Sequence, residues 1–272
     1  MFSNRFRKAG EKEMEMNDII VTYIGGATAL IEIDNLKFLT DPTFDPAGTE
    51  YSTRIYTLKR TMDPALSRNS LGYIDAVLLS HDHHFDNLDN AGRSMLPSAG
   101  AVLTTKAGAE RLGGNAVGLA PWEEFELTTQ NDEIIRITAT PARHGPADGD
   151  RGPVTGFIVE ASDALDKTLY ISGDTVWYEG FAEIAQRFRV TAAILFMGAA
   201  KVREVGPAHL TLTADEGVQF AKAFPDAEII PLHYEGWKHF SETREDIERV
   251  FKKAKLSQRL RWLEPGMPTK LH

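Results

Sequence analysis

Short apolar runs alternate with stretches of helical spacing along nearly the whole chain, the pattern of an α/β protein. The runs that predict strands are "DIIVTYI" (18–24), "TALIEI" (28–33), "KFLTD" (37–41), "DAVLLS" (75–80) and "AVLTT" (101–105), followed by "EIIRITATPA" (133–142), "GFIVEA" (156–161), "TLYISG" (168–173), "AAILFMG" (192–198) and "EIIPLH" (228–233). Two helices are predicted with defined starts. In "TADEGVQFAKAF" Thr213 stands three residues before Glu216 as a capping box, Val218, Ala221 and Phe224 share a side, and Pro225 stops the helix. In "SETREDIERVFKKAKL" Ile247, Val250, Phe251 and Ala254 recur at helical spacing behind Ser241. Shorter helices are predicted over 88–96, 106–112 and 179–188. Three opening strands, a loop rich in turn residues (42–73), then strand and helix in alternation predict two sheets packed together with helices outside. No Pro/Gly/Ser linker divides residues 17–272, which read as one domain, whereas residues 1–16 mix both charge signs with few apolar positions and read as a loosely attached extension.

Composition narrows the chemistry. The 272 residues are 42% hydrophobic and 25% charged, an ordinary globular balance, and the net charge of −9 opposes a broad phosphate-binding surface. A nucleic-acid partner is therefore not expected. The absence of cysteine leaves only nitrogen and oxygen ligands for any metal. No apolar stretch approaches the roughly 20 residues a membrane span requires, and the N-terminal segment lacks the apolar centre of a secretory signal. The expectation is a cytoplasmic protein without a membrane span.

Metal-capable side chains collect at predicted strand ends. "LLSHDHHFDNLD" (78–89) places His81, His83 and His84 with Asp82, Asp86 and Asp89 in a nine-residue run, and His144 ("TPARHG"), Asp174 ("YISGDT"), His209 ("GPAHLT") and His233 ("IIPLHYEGW") each follow or border an apolar run. Strand ends at one sheet edge converge in space, and imidazole with carboxylate suits Zn²⁺, Mn²⁺ or Fe²⁺. On an extended segment alternate residues point the same way, so His81 and His83 form one set and Asp82, His84 and Asp86 the other. A bulge would let one residue of each set reach the ion. The preferred ligands are His84 and Asp86 with either His81 or Asp82, joined by His144, Asp174 and His233.

The series "YIGGATALIEI", "LTDPTF", "LLSHDHHFDNLD", "TPARHG", "YISGDT" and "IPLHYEGWKHF" resembles the metallo-β-lactamase fold superfamily over about residues 18–266, in the branch of L-ascorbate-6-phosphate lactonase and N-acyl-phosphatidylethanolamine phospholipase D. The resemblance implies a four-layer αββα sandwich with a metal site at one edge, between two sheets. Its motif H-x-H-x-D-H is one residue shorter than the stretch here, so neither register fits both ends, and Asn87 stands where the last histidine would be. Gly26 occupies a position where many relatives carry histidine. Asp41 matches an aspartate that orients a ligand histidine, and His83 and Asn87 are expected beside the ligands rather than on the ion.

The expected cofactor is Zn²⁺, one ion tight and a second weak or absent, with Mn²⁺ or Fe²⁺ favoured if Asp82 is a ligand. The expected activity is hydrolysis of a small-molecule lactone, ester, amide or phosphoester by a metal-bound hydroxide, formed because a divalent ion lowers the pKa of water toward about 7. Asp86 would handle the proton, His209 would face substrate as an acid or oxyanion donor, and Trp177 and Tyr178 would stack on it. His239 is expected in an aromatic cluster with Trp237 and Phe240. The rival readings are a nucleic-acid phosphodiesterase and a non-hydrolytic metal-binding protein on the same scaffold.

Overall fold

In the computed structural model, which describes residues 18–147, 151–161 and 167–271, the apolar runs form strands with both faces covered. The extension expected over residues 1–16 lies outside the described residues. The N-terminal half contributes β1 (Ile19–Gly25), β2 (Thr28–Ile33), β3 (Leu36–Thr40), a small hairpin of β4 (Glu50–Ser52) and β5 (Thr57–Lys59), then β6 (Ala76–Leu78), α1 (Asn90–Met95), β7 (Ala101–Thr105), α2 (Lys106–Leu112) and β8 (Ala116–Leu119). The C-terminal half contributes β9 (Glu124–Thr128), β10 (Ile134–Pro141), β11 (Thr155–Ala161), β12 (Thr168–Ile171), α3 (Gly180–Arg187), β13 (Ala192–Phe196), α4 (Ala214–Ala223), β14 (Glu228–Leu232), α5 (Arg244–Lys253) and the short β15 (Thr269–Lys270).

One sheet has the order β15-β1-β2-β3-β6-β7-β8 and the other β14-β13-β12-β11-β10-β9. In the first, pairing is parallel from β3 to β8, so the C-terminal ends of β3, β6 and β7 share an edge. In the second, β11 is antiparallel to both β10 and β12, and β12, β13 and β14 run parallel. The C-terminal ends of β10, β12, β13 and β14 therefore also line one edge.

Two-residue periodicity divides each strand between two cores. Between the sheets lie Ala29, Ile31, Phe38, Leu78 and Leu103 from one side and Ile137, Phe157, Val159, Ile171, Ile194 and Leu232 from the other. The intervening positions turn outward: Leu39, Val77 and Val102 meet Leu88 and Leu96 around α1, and Tyr170, Leu195 and Ile229 meet Phe181, Val218 and Phe251 of α3, α4 and α5. Burying such side chains stabilises by about 1.5–3 kcal/mol each, which is why the strand runs are continuously apolar rather than alternating. The result is the four-layer αββα sandwich.

Helix starts follow local chemistry. Thr213 caps α4 through the predicted box with Glu216. α5 begins later than its sequence suggests, because Thr243 with Asp246 forms the capping box while the Ser241 hydroxyl donates to the Ala199 carbonyl at 2.6 Å. At Gly92 a Cβ would lie 1.8 Å from the Pro42 carbonyl oxygen, so only glycine lets α1 pass this close to the loop after β3. Among the described residues no helix is long and apolar enough to cross a membrane.

Candidate metal centre

The two C-terminal strand edges face each other, and the metal-capable residues leave them there. Asp41 directly follows β3, His81 follows β6, His144 follows β10, Asp174 follows β12 and His233 directly follows β14. The backbone is strained at two of these points, with φ of 24° at Asp41 and 56° at His233, positions where a non-glycine residue costs about 1–3 kcal/mol. Hydrogen bonds hold both. The His233 amide donates to the Gly26 carbonyl at 2.9 Å, and the Ser80 amide donates to Asp41 Oδ1 at 2.6 Å. A Cβ on Gly26 would lie 3.1 Å from Trp237 Nε1, so a histidine there would crowd the indole.

Residues 81–88 are not extended, and this dissolves the conflict of registers. The Leu88 amide donates to the His84 carbonyl at 3.0 Å, a helical turn that starts within the motif. The extra residue is absorbed by a bend at Asp82–His83, which brings His81 and His84, three positions apart, to face each other with Nε2 and Nδ1 3.0 Å apart. His144 Nε2 lies 3.1 Å from the same His84 Nδ1.

Protons are kept off the inward nitrogens. His144 Nδ1 lies 2.8 Å from the Leu210 carbonyl, an acceptor only, so Nδ1 carries the hydrogen and Nε2 presents a lone pair. With Asp41 ionised, the Ser80 hydroxyl donates to Asp41 Oδ2 at 2.8 Å and is left to accept from His81 Nδ1 at 2.9 Å, which again turns a lone pair inward at Nε2. Burial holds the His81 imidazolium well below its ordinary range, and burial together with neighbouring His144 lowers His84 to about 3. A separation near 3 Å is what donors about 2.0–2.1 Å from one ion show.

A second cluster adjoins the first. Asp86, Asp174 and His233, all buried, offer ligand atoms within 4.8 Å of one another, as do His81, His84 and His144. Asp174 stands between them, with Oδ2 3.7 Å from His144 Nε2 and Oδ1 3.0 Å from His233 Nδ1. Asn87 stands beside the Asp41 and Asp174 carboxylates, with its amide oxygen buried and unpartnered. Its amide donates to Asp174 Oδ1 at 3.1 Å and Asp41 Oδ2 at 3.3 Å, holding two carboxylates in place.

The donor set fits divalent cations. Both His233 ring nitrogens are buried and make no hydrogen bond, although carboxylate oxygens stand 3.0 and 3.5 Å away. Burial would lower the His233 pKa, yet Asp174 and Asp86 raise it to about 10, and burial with the charge of Asp174 pushes Asp41 up to about 8. Two buried carboxylates, Asp86 and Asp174, with imidazoles as their nearest partners are the electrostatics of a cation site.

Several expected roles are placed elsewhere. Asp82 turns away from the imidazoles and pairs with Arg111, whose Nε lies 2.9 Å from Oδ2, because the bend points its carboxylate across the outer surface of the turn. Burial opposes the charge, but Arg111 holds the Asp82 carboxyl well below the usual range. His83 Nε2 donates to the Arg151 carbonyl at 2.8 Å and so fastens the segment after His144. His209 Nε2 lies 3.1 Å from Glu216 Oε1 at the start of α4, and it is Leu210, whose carbonyl fixes His144, that reaches the cavity. Trp177 stacks on Phe181 at 4.6 Å and Tyr178 lies under the Arg143 guanidinium at 4.8 Å, both against the outer helical core.

The cavity over the clusters holds about 220 Å³. His84, Asp86, His144 and Asp174 form part of its wall, and Ile55, Tyr56 and Leu58 from the β4–β5 hairpin face Val202, Val205 and Leu210. Ala200, His239 and Arg151 complete it; Arg151 is its only lysine or arginine among the described residues. His239 lies in the expected aromatic cluster with Trp237 and Phe240, and its Nε2 also stands 3.0 Å from Asp86 Oδ2, a role that its sequence position did not signal.

Known proteins resemble the chain in sequence and fold. A family model described as a beta-lactamase superfamily domain matches residues 37–234. The chain belongs to this superfamily, the metallo-β-lactamase fold. It is 26% identical over 258 residues to the UPF0173 protein YddR of Bacillus subtilis, covering 90% of this chain and 97% of that one. It is 25% identical over 232 residues to N-acyl-phosphatidylethanolamine-hydrolyzing phospholipase D 1 of Caenorhabditis elegans, covering 79% and 64%. Its fold is also that of a possible metal-dependent hydrolase from Veillonella parvula, with a TM-score of 0.78 at 22% identity and coverage of 94% and 100%.

Proposed function

We infer that this metal-dependent hydrolase acts on a small, largely apolar molecule with one polar hydrolysable group: a lactone, ester, amide or phosphoester. The observation that carries the reading is the pair of adjoining donor clusters, His81/His84/His144 and Asp86/Asp174/His233, opening into one cavity of about 220 Å³. Zinc suits the imidazole trio, where three neutral nitrogens are already arranged. Bound there, divalent ions would make water a nucleophile near neutral pH and polarise the bond under attack.

The chain's own groups do the rest. The Leu210 carbonyl fixes the tautomer of His144, and the Ser80 hydroxyl, 2.9 Å from Nδ1, orients the His81 ring. Burial would raise the Asp86 pKa, but His239 and His233 hold it well below the usual range, so Asp86 stands at the site as an ionised carboxylate that can orient a water by accepting its hydrogen bond. Ile55, Leu58, Val202, Val205 and Leu210 exclude solvent and select an apolar body, and Arg151 stands where an electronegative substituent can be met. The small cavity and the net charge of −9 disfavour a nucleic-acid backbone.

The test is elemental analysis of protein purified without added metal, followed by a panel of esters, lactones, amides and phosphodiesters with Zn²⁺ and Mn²⁺ supplied separately. Expected is bound metal with chelator-sensitive turnover of a compact apolar substrate, lost in His144→Ala. Protein that binds neither ion and hydrolyses no member of the panel would refute the reading.

A further inference from the structure

We infer that His239 is a ligand of the second metal ion, replacing from another part of the chain the histidine that the motif lacks at Asn87. The inference rests on the metal-centre reading above. Asp86 Oδ2 has two imidazole nitrogens beside it, His239 Nε2 at 3.0 Å and His233 Nε2 at 3.5 Å. That is the spacing found in the other cluster, where inward nitrogens lie 3.0 and 3.1 Å apart. Asp86 Oδ2 therefore has two imidazole nitrogens within reach of one ion bound beside it.

The segment carrying His239 is built to hold it there. Beyond β14 the chain is pinned to the β4–β5 hairpin, with the Thr61 amide donating to the Gly236 carbonyl at 2.8 Å and the Lys238 amide to the Lys59 carbonyl at 3.0 Å. The Lys201 amide donates to the His239 carbonyl at 2.9 Å. Phe240 lies between the two imidazoles, 4.8 Å from the ring of His233 and 4.8 Å from that of His239. The aromatic cluster around Trp237 thus clamps a ring whose Nε2 faces the site. His239 Nδ1 is buried with no partner, so no protein acceptor holds a proton there, and what stands at Nε2 sets the tautomer. Meanwhile Asn87 is occupied in holding Asp41 and Asp174. A chain that merely lost its motif histidine would leave the second position short of nitrogen, and this one is not.

The experiment titrates the full metal-stripped chain with Zn²⁺ against a chromophoric chelator. Wild type is expected to bind two equivalents. His239→Gln keeps a hydrogen-bond donor toward Asp86 while replacing imidazole with a poor ligand. It is expected to retain the first equivalent at unchanged affinity and to weaken the second more than about a hundredfold, beyond the 10–100-fold that loss of a merely supporting residue costs. His144→Ala, by contrast, should lose the first. A second equivalent weakened less than this in His239→Gln, or a wild type that binds one equivalent only, overturns the proposal and leaves the metal centre standing. A wild type that binds none overturns both. Should the variant fail to fold, anomalous diffraction from wild-type crystals grown with Zn²⁺ decides: Nε2 about 2.0–2.1 Å from the second ion supports the assignment, and a separation beyond about 3 Å refutes it.

Discussion

The bend at Asp82–His83 lets two imidazoles three positions apart face one point, and it gives the three consecutive residues before His84 different work. His81 turns inward onto Ser80, Asp82 outward onto Arg111, and His83 sideways onto the Arg151 carbonyl. Adjacent histidines should therefore respond oppositely to truncation. His84→Ala removes the nitrogen shared by both short contacts of the trio, so metal content measured after dialysis should fall by one equivalent. His83→Ala should retain its metal and lose only the hydrogen bond to the Arg151 carbonyl, visible as a small fall in Tm. Loss of metal in His83→Ala with retention in His84→Ala would reverse the register. From sequence, the identity of the donors was legible because histidine and aspartate at strand ends are costly without a cation. The choice between His81 and Asp82 was not, because strand alternation and a turn make opposite predictions for neighbouring residues. Only the hydrogen bond from Leu88 to the His84 carbonyl decides which applies.

Elements with a strong apolar run were legible, and those whose stability is borrowed from a neighbour were not. β12 and β13 bury every side chain, so their composition announces them. β9 alternates exposed and half-buried residues at a sheet edge, β8 is interrupted by Gly118, and β4 and β5 are three residues each, held largely by pairing with one another and by packing on Trp237. That hairpin closes the cavity, so specificity should reside in it while the chemistry resides elsewhere. Ile55, 63% exposed near the hairpin turn, lines the cavity without belonging to a core cluster. Ile55→Asp should leave metal content unchanged and shift stability by no more than about 0.5 kcal/mol, as surface substitutions do. For apolar substrates it should raise KM with kcat little altered, since a charge at the mouth opposes binding equally in ground and transition states. A fall in kcat at unchanged KM would place the hairpin in the chemistry instead.

At the scale of the whole molecule, the metal centre joins the two sheets. His81, His84 and Asp86 come from the end of β6 in one sheet, and His144, Asp174 and His233 from the ends of β10, β12 and β14 in the other. Elsewhere the described residues of the two sheets meet largely through apolar packing, which is non-directional, with polar ties such as Lys167 to Asp18 and Gln130 to Asn35, whereas at this edge buried carboxylates repel one another across the gap until a cation stands between them. The two-sheet architecture was visible in the order of the runs, but which strand ends would face each other was not, since that depends on strand order within each sheet. The arrangement makes metal binding a term in global stability. An ion that binds the native chain and not the unfolded one stabilises by RT ln(1 + [L]/Kd), about 2.7 kcal/mol at a hundredfold excess over Kd. Chelator should therefore lower Tm by several degrees, and added Zn²⁺ should restore it with a logarithmic dependence on concentration. His144→Ala should start lower and lose the response of the first ion. Asp82→Asn, off the metal path, should melt at a lower temperature yet keep the full zinc-dependent rise; if that rise vanished with Asp82, the carboxylate would belong to the centre after all.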